Sequence, residues 1–177
     1  MIKAIKKLYN KLMPKKIILK DVFNDWKITQ LFGKTPFAIK HPEIYKYKQH
    51  TGIDFGMRKG TKIYAPHDGI IVKVDSKIEY TKEGLPTGTG LSFSLWDSKQ
   101  LIATRYYHTQ KLIVKLNKIY KEGDLIGYVG DTGHSRSGSH LHFELVETND
   151  IAHVINKDNG AGGAIDPLDP KIVKWVK

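Results

Sequence analysis

The segment GSHLHFELVE, residues 138–147, restricts the possible folds of this chain more than any other stretch. In a β-strand, successive side chains point to opposite faces. One set of alternate positions in this segment is polar: His140, His142 and Glu144. The other set is apolar: Leu141, Phe143 and Leu145. The pattern predicts a strand with one face in a hydrophobic core and two imidazoles on the other face.

The rest of the chain predicts an all-β domain. After the first 20 residues helical periodicity is weak, and short apolar runs alternate with Gly, Asp and Pro turn signals. Further strands are expected at five runs: 69–74, 91–97, 101–108, 112–116 and 125–130. Long loops are expected at 33–49 and 81–90, and an irregular segment at 156–170. Since 177 residues suffice for one sizeable core, we expect a single domain over residues 21–177, built as an antiparallel sheet or sandwich with long rim loops.

Residues 1–20 form a basic N-terminal arm. The arm has seven lysines and no acidic residue, and leaving it out lowers the formal net charge from +11 to +4. Its apolar residues have near-helical spacing, which predicts a short amphipathic helix before Pro14: Ile2, Ile5, Leu8 and Leu12. Two interpretations are open: the helix lies on an anionic membrane or cell-wall polymer, or it docks on its own domain or forms a loose tail. Because the excess charge is concentrated in the arm, no nucleic-acid partner is expected.

Three absences limit the class of protein further. The chain has no cysteine, which excludes disulfides and cysteine–metal sites. No apolar run approaches the roughly 20 residues that a membrane-spanning helix needs. Lysines interrupt the apolar residues near the N-terminus and no small-residue cleavage site follows, so a secretory signal is not visible.

The sequence HTGIDFG, residues 50–56, is one half of a candidate metal site. His50 and Asp54 are four residues apart, and in a straight strand they would lie about 13 Å apart. Two ligands of one zinc ion lie only about 2.0–2.2 Å from the metal. The backbone must therefore bend if both bind one ion, and Gly52 permits a bend. A polar turn is the alternative interpretation of this motif taken alone.

The second half of the candidate site is the pair His140 and His142. Their Cα atoms are about 6.6 Å apart in a strand, so both could reach one ion. Alternatively, one histidine binds the metal and the other acts as an acid or base beside it. Two histidines, one aspartate and an open position for water form the arrangement of catalytic zinc sites. The neutral nitrogen and oxygen donors suit Zn²⁺ without excluding other divalent metals.

The chain resembles the zinc metallopeptidases of the lysostaphin/LytM type, which cut peptide bonds in bacterial peptidoglycan. The resemblance runs from about Ile28 to the C-terminus and rests on five segments in the family's order: HTGIDFG, YAPHDGIIVKV, YYHTQKL, GDLIGYVGDTGHSRSGSHLHFEL and DPLDP. It implies the antiparallel, all-β LytM-type fold, which is a duplicated hybrid motif. It also implies one Zn²⁺ ion as cofactor and the peptide stems and bridges of peptidoglycan as partners.

The resemblance implies roles for five residues. The metal ligands would be His50, Asp54 and His142, and the catalytic residues would be His140 and His108. Zinc lowers the pKa of a bound water toward about 7. His140 would take the proton of this water and return it to the leaving amine. His108 would hydrogen-bond the developing oxyanion or position the water.

Three further residues are weaker candidates for substrate binding or for support of the metal ligands. Tyr106, two residues before His108, is expected on the same face as that histidine. Glu144 is expected either to orient a ligand or to be an ordinary strand carboxylate at the rim of the site. Arg136 lies in the loop before His140, where Ser139 replaces the proline usual in the family, and these changes are expected to reshape the substrate groove.

The remaining histidines and the lysine- and tyrosine-rich loop at 34–49 match no functional position. The loop contacts either glycan or anionic polymer, or only solvent. The other histidines are expected at the surface: His41, His67, His134 and His153.

Two function classes other than an enzyme are compatible with parts of the sequence. A non-catalytic LytM-like module, which binds peptidoglycan or regulates an amidase, should lack a ligand or a catalytic histidine, and here all five positions are filled. A lipoyl or biotinyl carrier or a sugar-phosphotransfer domain would explain YAPHDGIIVKV but leaves the HxGxD motif without a purpose. The expectation is therefore a zinc-dependent endopeptidase that acts on the cell wall outside the cytoplasm. Since no secretion signal is visible, a phage lysis or tail-associated lysin is the hypothesis for its delivery.

Overall fold

The structure, a computed structural model, describes residues 16–23, 26–45, 47–134, 138–151 and 153–177. Within these ranges the chain has fourteen strands and one short helix, which confirms the all-β prediction. The strands are β1 Ile17–Lys20, β2 Lys27–Gln30, β3 Ile53–Gly56, β4 Lys62–Tyr64, β5 Gly69–Asp75, β6 Glu79–Tyr80, β7 Pro86–Thr87, β8 Ser92–Asp97, β9 Ile102–Tyr107, β10 Ile119–Tyr120, β11 Leu125–Tyr128, β12 His140–Glu147, β13 Ala164–Ile165 and β14 Val173–Val176. The helix, α1, is Pro36–Lys40. No helix in the described ranges is long and apolar enough to cross a membrane.

An antiparallel sheet of eight strands forms the centre of the domain. Its order is β10-β5-β8-β9-β12-β3-β2, with β13 paired to the far end of β12. Strand β12 is the longest of the described strands and lies between β9 and β3. As its alternation predicts, its apolar side chains are fully buried: Leu141, Phe143 and Leu145. The other face of β12 carries His140, His142 and Glu144, and beyond them Val146, which packs in a second, smaller apolar cluster with Ala103, Ala161 and Ala164.

Aromatic rings fill the space behind the buried face of β12. The ring of Phe23 stacks on Phe55 with centroids 4.7 Å apart and meets the edge of Phe143 at 5.1 Å. Trp175 of β14 closes this cluster at 5.8 Å from Phe23. Burial of large aromatic side chains contributes strongly to the hydrophobic stabilisation of such a core.

Strand β1 pairs in parallel with β14, and Ile17 lies opposite Val173. Leu19 is completely buried in the main core. Residues 17–20, which the sequence assigned to the basic arm, therefore pack with the domain. The helix predicted at residues 2–12 lies outside the described residues.

Several local predictions differ from the structure, and the segment at 156–170, predicted to be irregular, contains β13. Residues 112–116 form no strand, because this segment runs outside the ladder and the Lys115 N–H donates to the Tyr120 hydroxyl instead. The loop at 33–49 contains α1, whose first turn is capped by the Thr35 hydroxyl accepting from the Ala38 N–H at 3.1 Å. The loop at 81–90 contains β7, which pairs with β6.

His67 is buried, and its prediction as a surface residue is wrong. Its Nδ1 donates to the Asp68 carbonyl at 2.7 Å, and its Nε2 lies 2.9 Å from the Thr104 hydroxyl. Thr104 in turn lies 2.8 Å from the Tyr106 hydroxyl. Burial lowers the pKa of His67 and raises that of Tyr106. A backbone carbonyl just before β5 and a hydroxyl on β9 thus satisfy an imidazole that sequence position alone would leave in solvent.

Gly52 sits where the chain entering β3 passes closest to β12. The bend between His50 and Asp54 does not use a left-handed glycine, because Gly52 has no positive φ. Instead, a Cβ at this position would collide with the Phe143 carbonyl oxygen and lie 2.9 Å from His142 Nε2. Gly52 is therefore required for close approach of two backbones.

We expect Gly52→Ala to destabilise the domain by about 1–3 kcal/mol, because backbone atoms of β12 cannot move aside as a flexible side chain could. For a domain of this size that corresponds to about 2–4 °C of melting temperature for each kcal/mol. Thermal unfolding should be followed in the presence of a chelator, so that bound metal does not contribute. An unchanged midpoint would contradict the role assigned to this glycine.

Candidate active site and metal centre

The pairing of β12 with its two neighbours gathers polar side chains on the open face of the sheet. His142 lies opposite Asp54 of β3 and opposite Tyr107 of β9. His50 precedes β3 and is held by a two-way backbone bridge to Gly33, with N···O distances of 2.8 and 2.9 Å. The bend after His50 returns its side chain to the side of Asp54.

Three side-chain atoms converge at this point. His50 Nε2 lies 3.1 Å from Asp54 Oδ1 and 2.9 Å from His142 Nδ1. His142 Nδ1 lies 2.9 Å from the same Asp54 oxygen. All three residues are almost completely shielded from solvent. Their donor atoms all lie within 4.8 Å of one another, which is close enough for the three residues to share one ion.

The hydrogen bonds on the far side of each imidazole show that this group fits a cation. His50 Nδ1 must carry a hydrogen, since its partner at 2.8 Å is the Leu31 carbonyl. His142 Nε2 faces the Glu144 carboxylate at 3.3 Å, so the hydrogen of the neutral ring lies on Nε2. The Nδ1 atom of His142 then carries a lone pair. Two lone pairs and a carboxylate oxygen thus face one another at 2.9–3.1 Å. Such a set needs a shared proton or a metal, and two nitrogens with one oxygen suit Zn²⁺.

The pKa shifts of His142 and Asp54 also indicate that this group of residues favours a bound positive charge. Burial alone would lower the pKa of His142, but hydrogen bonds to Asp54 and Glu144 outweigh it and raise the pKa to about 9. Burial alone would raise the pKa of Asp54, yet hydrogen bonds from His142 and His50 hold it well below its usual range. In the metal-free chain a proton on His142 takes the place that a cation would fill.

His140 and His108 lie beside this group. His140 Nε2 is 4.0 Å from Asp54 Oδ2, outside the three-atom cluster, and its ring centroid is 4.7 Å from that of His108. The structure therefore separates the two histidines of the HxH pair: His142 is within the group and His140 is adjacent to it.

Backbone carbonyls fix the orientation of both adjacent imidazoles. His140 Nδ1 donates to the Gly138 carbonyl at 3.0 Å, and His108 Nδ1 donates to the Thr132 carbonyl at 2.8 Å. In the neutral form each ring then presents Nε2 as a proton or hydrogen-bond acceptor. Burial, followed by the neighbouring imidazoles of His140 and His142, lowers the pKa of His108 to about 3. His108 is therefore neutral at physiological pH and its Nε2 accepts rather than donates.

The placement of Tyr106 beside the site is wrong. Tyr106 is completely buried in the core, where its ring stacks on Phe93 with centroids 4.7 Å apart. The two-residue period fails because β9 ends at Tyr107, and His108 has a left-handed φ of 62°. Tyr107 occupies the site face instead, stacked on His142 at 5.1 Å with an interplanar angle of 14°.

Glu144 is the hub of a hydrogen-bond network behind His142. Its carboxylate accepts from the Tyr107 hydroxyl at 2.8 Å, from Arg105 Nη1 at 3.2 Å and from the Thr51 hydroxyl. Burial alone would raise the pKa of Glu144, but bonding to His142 and the charge of Arg105 lower it to about 2. The carboxylate is thus ionised and oriented toward a candidate metal ligand.

The other candidate positions contribute less. Arg136 lies outside the described residues. Ser139 donates to the Met57 carbonyl at 2.7 Å, which ties the loop before β12 to the residue that follows β3. His41 and His153 are paired with nearby carboxylates away from the centre. Sequence reasoning missed Thr51, Arg105 and Tyr107, although Thr51 is inside the HTGID motif and the other two lie within three residues of His108.

Sequence comparison finds relatives that are hydrolases by name. An uncharacterised metalloprotease of Haemophilus influenzae is 31% identical over 133 residues, covering 75% of this chain and 23% of that protein. The peptidoglycan DD-endopeptidase ShyA of Vibrio cholerae is 30% identical over 125 residues, covering 71% of this chain and 26% of that protein. The chain spans about a quarter of the length of these relatives.

Structural comparison finds the same fold in solved peptidases. The catalytic domain of the antimicrobial peptidase lysostaphin from Staphylococcus simulans has a TM-score of 0.62 and 26% identity, with 82% of this chain and 91% of that chain covered. A zinc-containing peptidase from Vibrio cholerae has a TM-score of 0.60 and 26% identity, with 83% of this chain and 37% of that chain covered.

The family assignment follows from the extent of the sequence match. The pattern of peptidase family M23 matches residues 48–156, more than half of the chain. That range includes both histidine motifs and all of the residues that converge at the site. The chain belongs to peptidase family M23.

Proposed function

We propose that this protein is a zinc-dependent endopeptidase that hydrolyses peptide crosslinks of bacterial peptidoglycan, outside the cytoplasm. One observation carries the proposal: two imidazole lone pairs and a carboxylate oxygen converge at 2.9–3.1 Å, with two further imidazoles beside them. Membership of family M23 and the printed activity of the ShyA relative support the substrate class.

In the proposed site, His50, Asp54 and His142 hold one Zn²⁺ ion. When bound, zinc supplies a Lewis acid that makes water nucleophilic near neutral pH and polarises a carbonyl group. Glu144, fixed by Tyr107, Arg105 and Thr51, orients His142 and makes it a better ligand.

The two adjacent histidines divide the proton chemistry between them. His140, whose Nε2 lies 4.0 Å from Asp54 Oδ2, takes a proton from water at that nitrogen and returns it to the leaving amine. His108 presents a lone pair at Nε2, so it accepts a hydrogen bond that positions the water or the protonated His140. Of the two roles expected for His108, its tautomer favours water positioning over donation to an oxyanion.

Two parts of the sequence-based hypothesis stay predictions. Delivery by a phage is one, and attachment of the N-terminal lysines to an anionic surface is the other.

The experiment that tests the proposal is a digest of purified sacculi with different bridge chemistries. New amino termini identified by mass spectrometry define the bond that is cut. Parallel samples with a chelator, and with zinc restored, test metal dependence. Undiminished cleavage in the chelated sample would reject a zinc enzyme, and zinc binding without any cleavage would favour a non-catalytic binding module.

We expect His142→Ala and His140→Ala to separate metal binding from turnover. His142→Ala removes a proposed ligand and should lose zinc and activity together. His140→Ala leaves the three ligands in place, so it should keep one zinc per chain while turnover falls by about 100-fold or more. Zinc content by elemental analysis and cleavage of sacculi are the two measurements. Full activity of the His140 variant would remove this residue from the mechanism.

We expect Glu144→Gln to weaken zinc binding by about 10–100-fold, because an amide orients His142 less strongly than a carboxylate. The affinity should be measured by competition with a chromogenic chelator. Glu79→Gln, an exposed change in β6, is the matched control and should leave the affinity unaltered. Equal affinity of the Glu144 variant and the wild type would show that this network does not support the ligand.

A further inference from the structure

A cavity of about 500 Å³ lies on the open face of the central sheet, next to the candidate metal centre. It begins at Tyr107, the residue that stacks on His142, and continues over β9, β8 and β5. Because the cavity adjoins the centre through a shared side chain, a peptide bound at the centre can continue into it.

The charged residues of this cavity are cations. Lys73 and Arg105 line it, and no Asp or Glu is among the described residues of its wall. Its other polar residues are neutral and include Ser92, Ser94 and Asn117. Glu144 lies behind Arg105 and balances the charge of its guanidinium. The charge of Lys73 is therefore left in excess at the floor of the cavity.

Strand register places these cations in one row across the sheet. Lys73 lies opposite Ser94, Ser94 lies opposite Arg105, and Arg105 lies opposite Glu144. All four residues are in register, so their side chains share the face that carries His142. The row is two residues along β12 from His142, which corresponds to about 7 Å.

The spacing of strands sets the distance of each cation from the centre. Neighbouring strands lie about 4.8 Å apart, so the Cα atom of Arg105 is about 8 Å from that of His142 and the Cα atom of Lys73 about 16 Å. An extended peptide advances about 3.3–3.6 Å for each residue. The row therefore lies within reach of substrate groups that are about two to five residues from the cleaved peptide bond.

We infer that the row of Lys73, Ser94 and Arg105 is a subsite for a free carboxylate carried by the substrate peptide, two to five residues from the cleaved bond. The inference rests on the proposed function and narrows its substrate class to carboxylate-bearing peptide stems. The guanidinium of Arg105 is held by Glu144 and thus presents its remaining donors in a fixed orientation. Lys73 adds a mobile charge at the far end of the row.

The test compares two synthetic crosslinked peptides that share the cleaved bond and differ at one group, a carboxylate in one and a carboxamide in the other. For the zinc-loaded wild type we expect kcat/KM to be about fivefold higher for the carboxylate, as for a partly exposed charge pair. Lys73→Gln should reduce this ratio to less than about twofold, and 0.5 M salt should reduce it in the wild type. Lys174→Gln, an exposed change in β14, should leave the ratio as it is.

Equal kcat/KM for the two peptides in the wild type would overturn the subsite while leaving the proposed function in place. A ratio that Lys73→Gln does not lower would also overturn it. If neither peptide is cleaved, the proposed function fails. Binding of the same two peptides to the zinc-loaded protein then tests whether the subsite exists. Tighter binding of the carboxylate that Lys73→Gln abolishes would then support it, and equal binding would reject it.

Discussion

The pairing of β12 with β3 is the constraint on which the site depends, because it holds the imidazole of His142 beside Asp54 and the imidazole of His50. Backbone carbonyl and carboxylate partners commit the hydrogens of both imidazoles to their outer nitrogens, which leaves three acceptors facing one another. Acceptors at this distance repel unless a cation or proton lies between them. The cross-strand pairing of β12 and β3 holds them there, so the domain stabilises an arrangement that a metal would complete.

The two faces of the central sheet have different roles: one packs in the main core, and the other carries the candidate reactive groups. One face of β12 packs on the aromatic core, while the other carries His140, His142 and Glu144. Strand β9 repeats this division, with Tyr106 in the core and Tyr107 at the site. Each strand contributes side chains to both faces. A shift of register by one residue would therefore move the polar side chains out of the site and the apolar side chains out of the core at the same time. The strand pairing that forms the core therefore also fixes the positions of the candidate reactive groups.

Much of the fold and most of the site follow from sequence, for physical reasons. Strand β12 was predictable because its polar and apolar residues alternate strictly, and the two histidine motifs contain the residues that converge. Tyr106 was misplaced because a two-residue period cannot anticipate the left-handed backbone at His108. The burial of His67 depends on Thr104, a partner 37 residues away. The pairing of β1 with β14 leaves no local signal, because it joins residues more than 150 positions apart.

The parallel pairing of β1 and β14 has a mechanical consequence. Strand β1 begins at one end of this ladder and β14 ends at the other, because the two strands run in the same direction. Tension between residues 17 and 176 would pull the strands lengthwise past each other. Their rungs would then resist the load together, in shear, rather than open one after another.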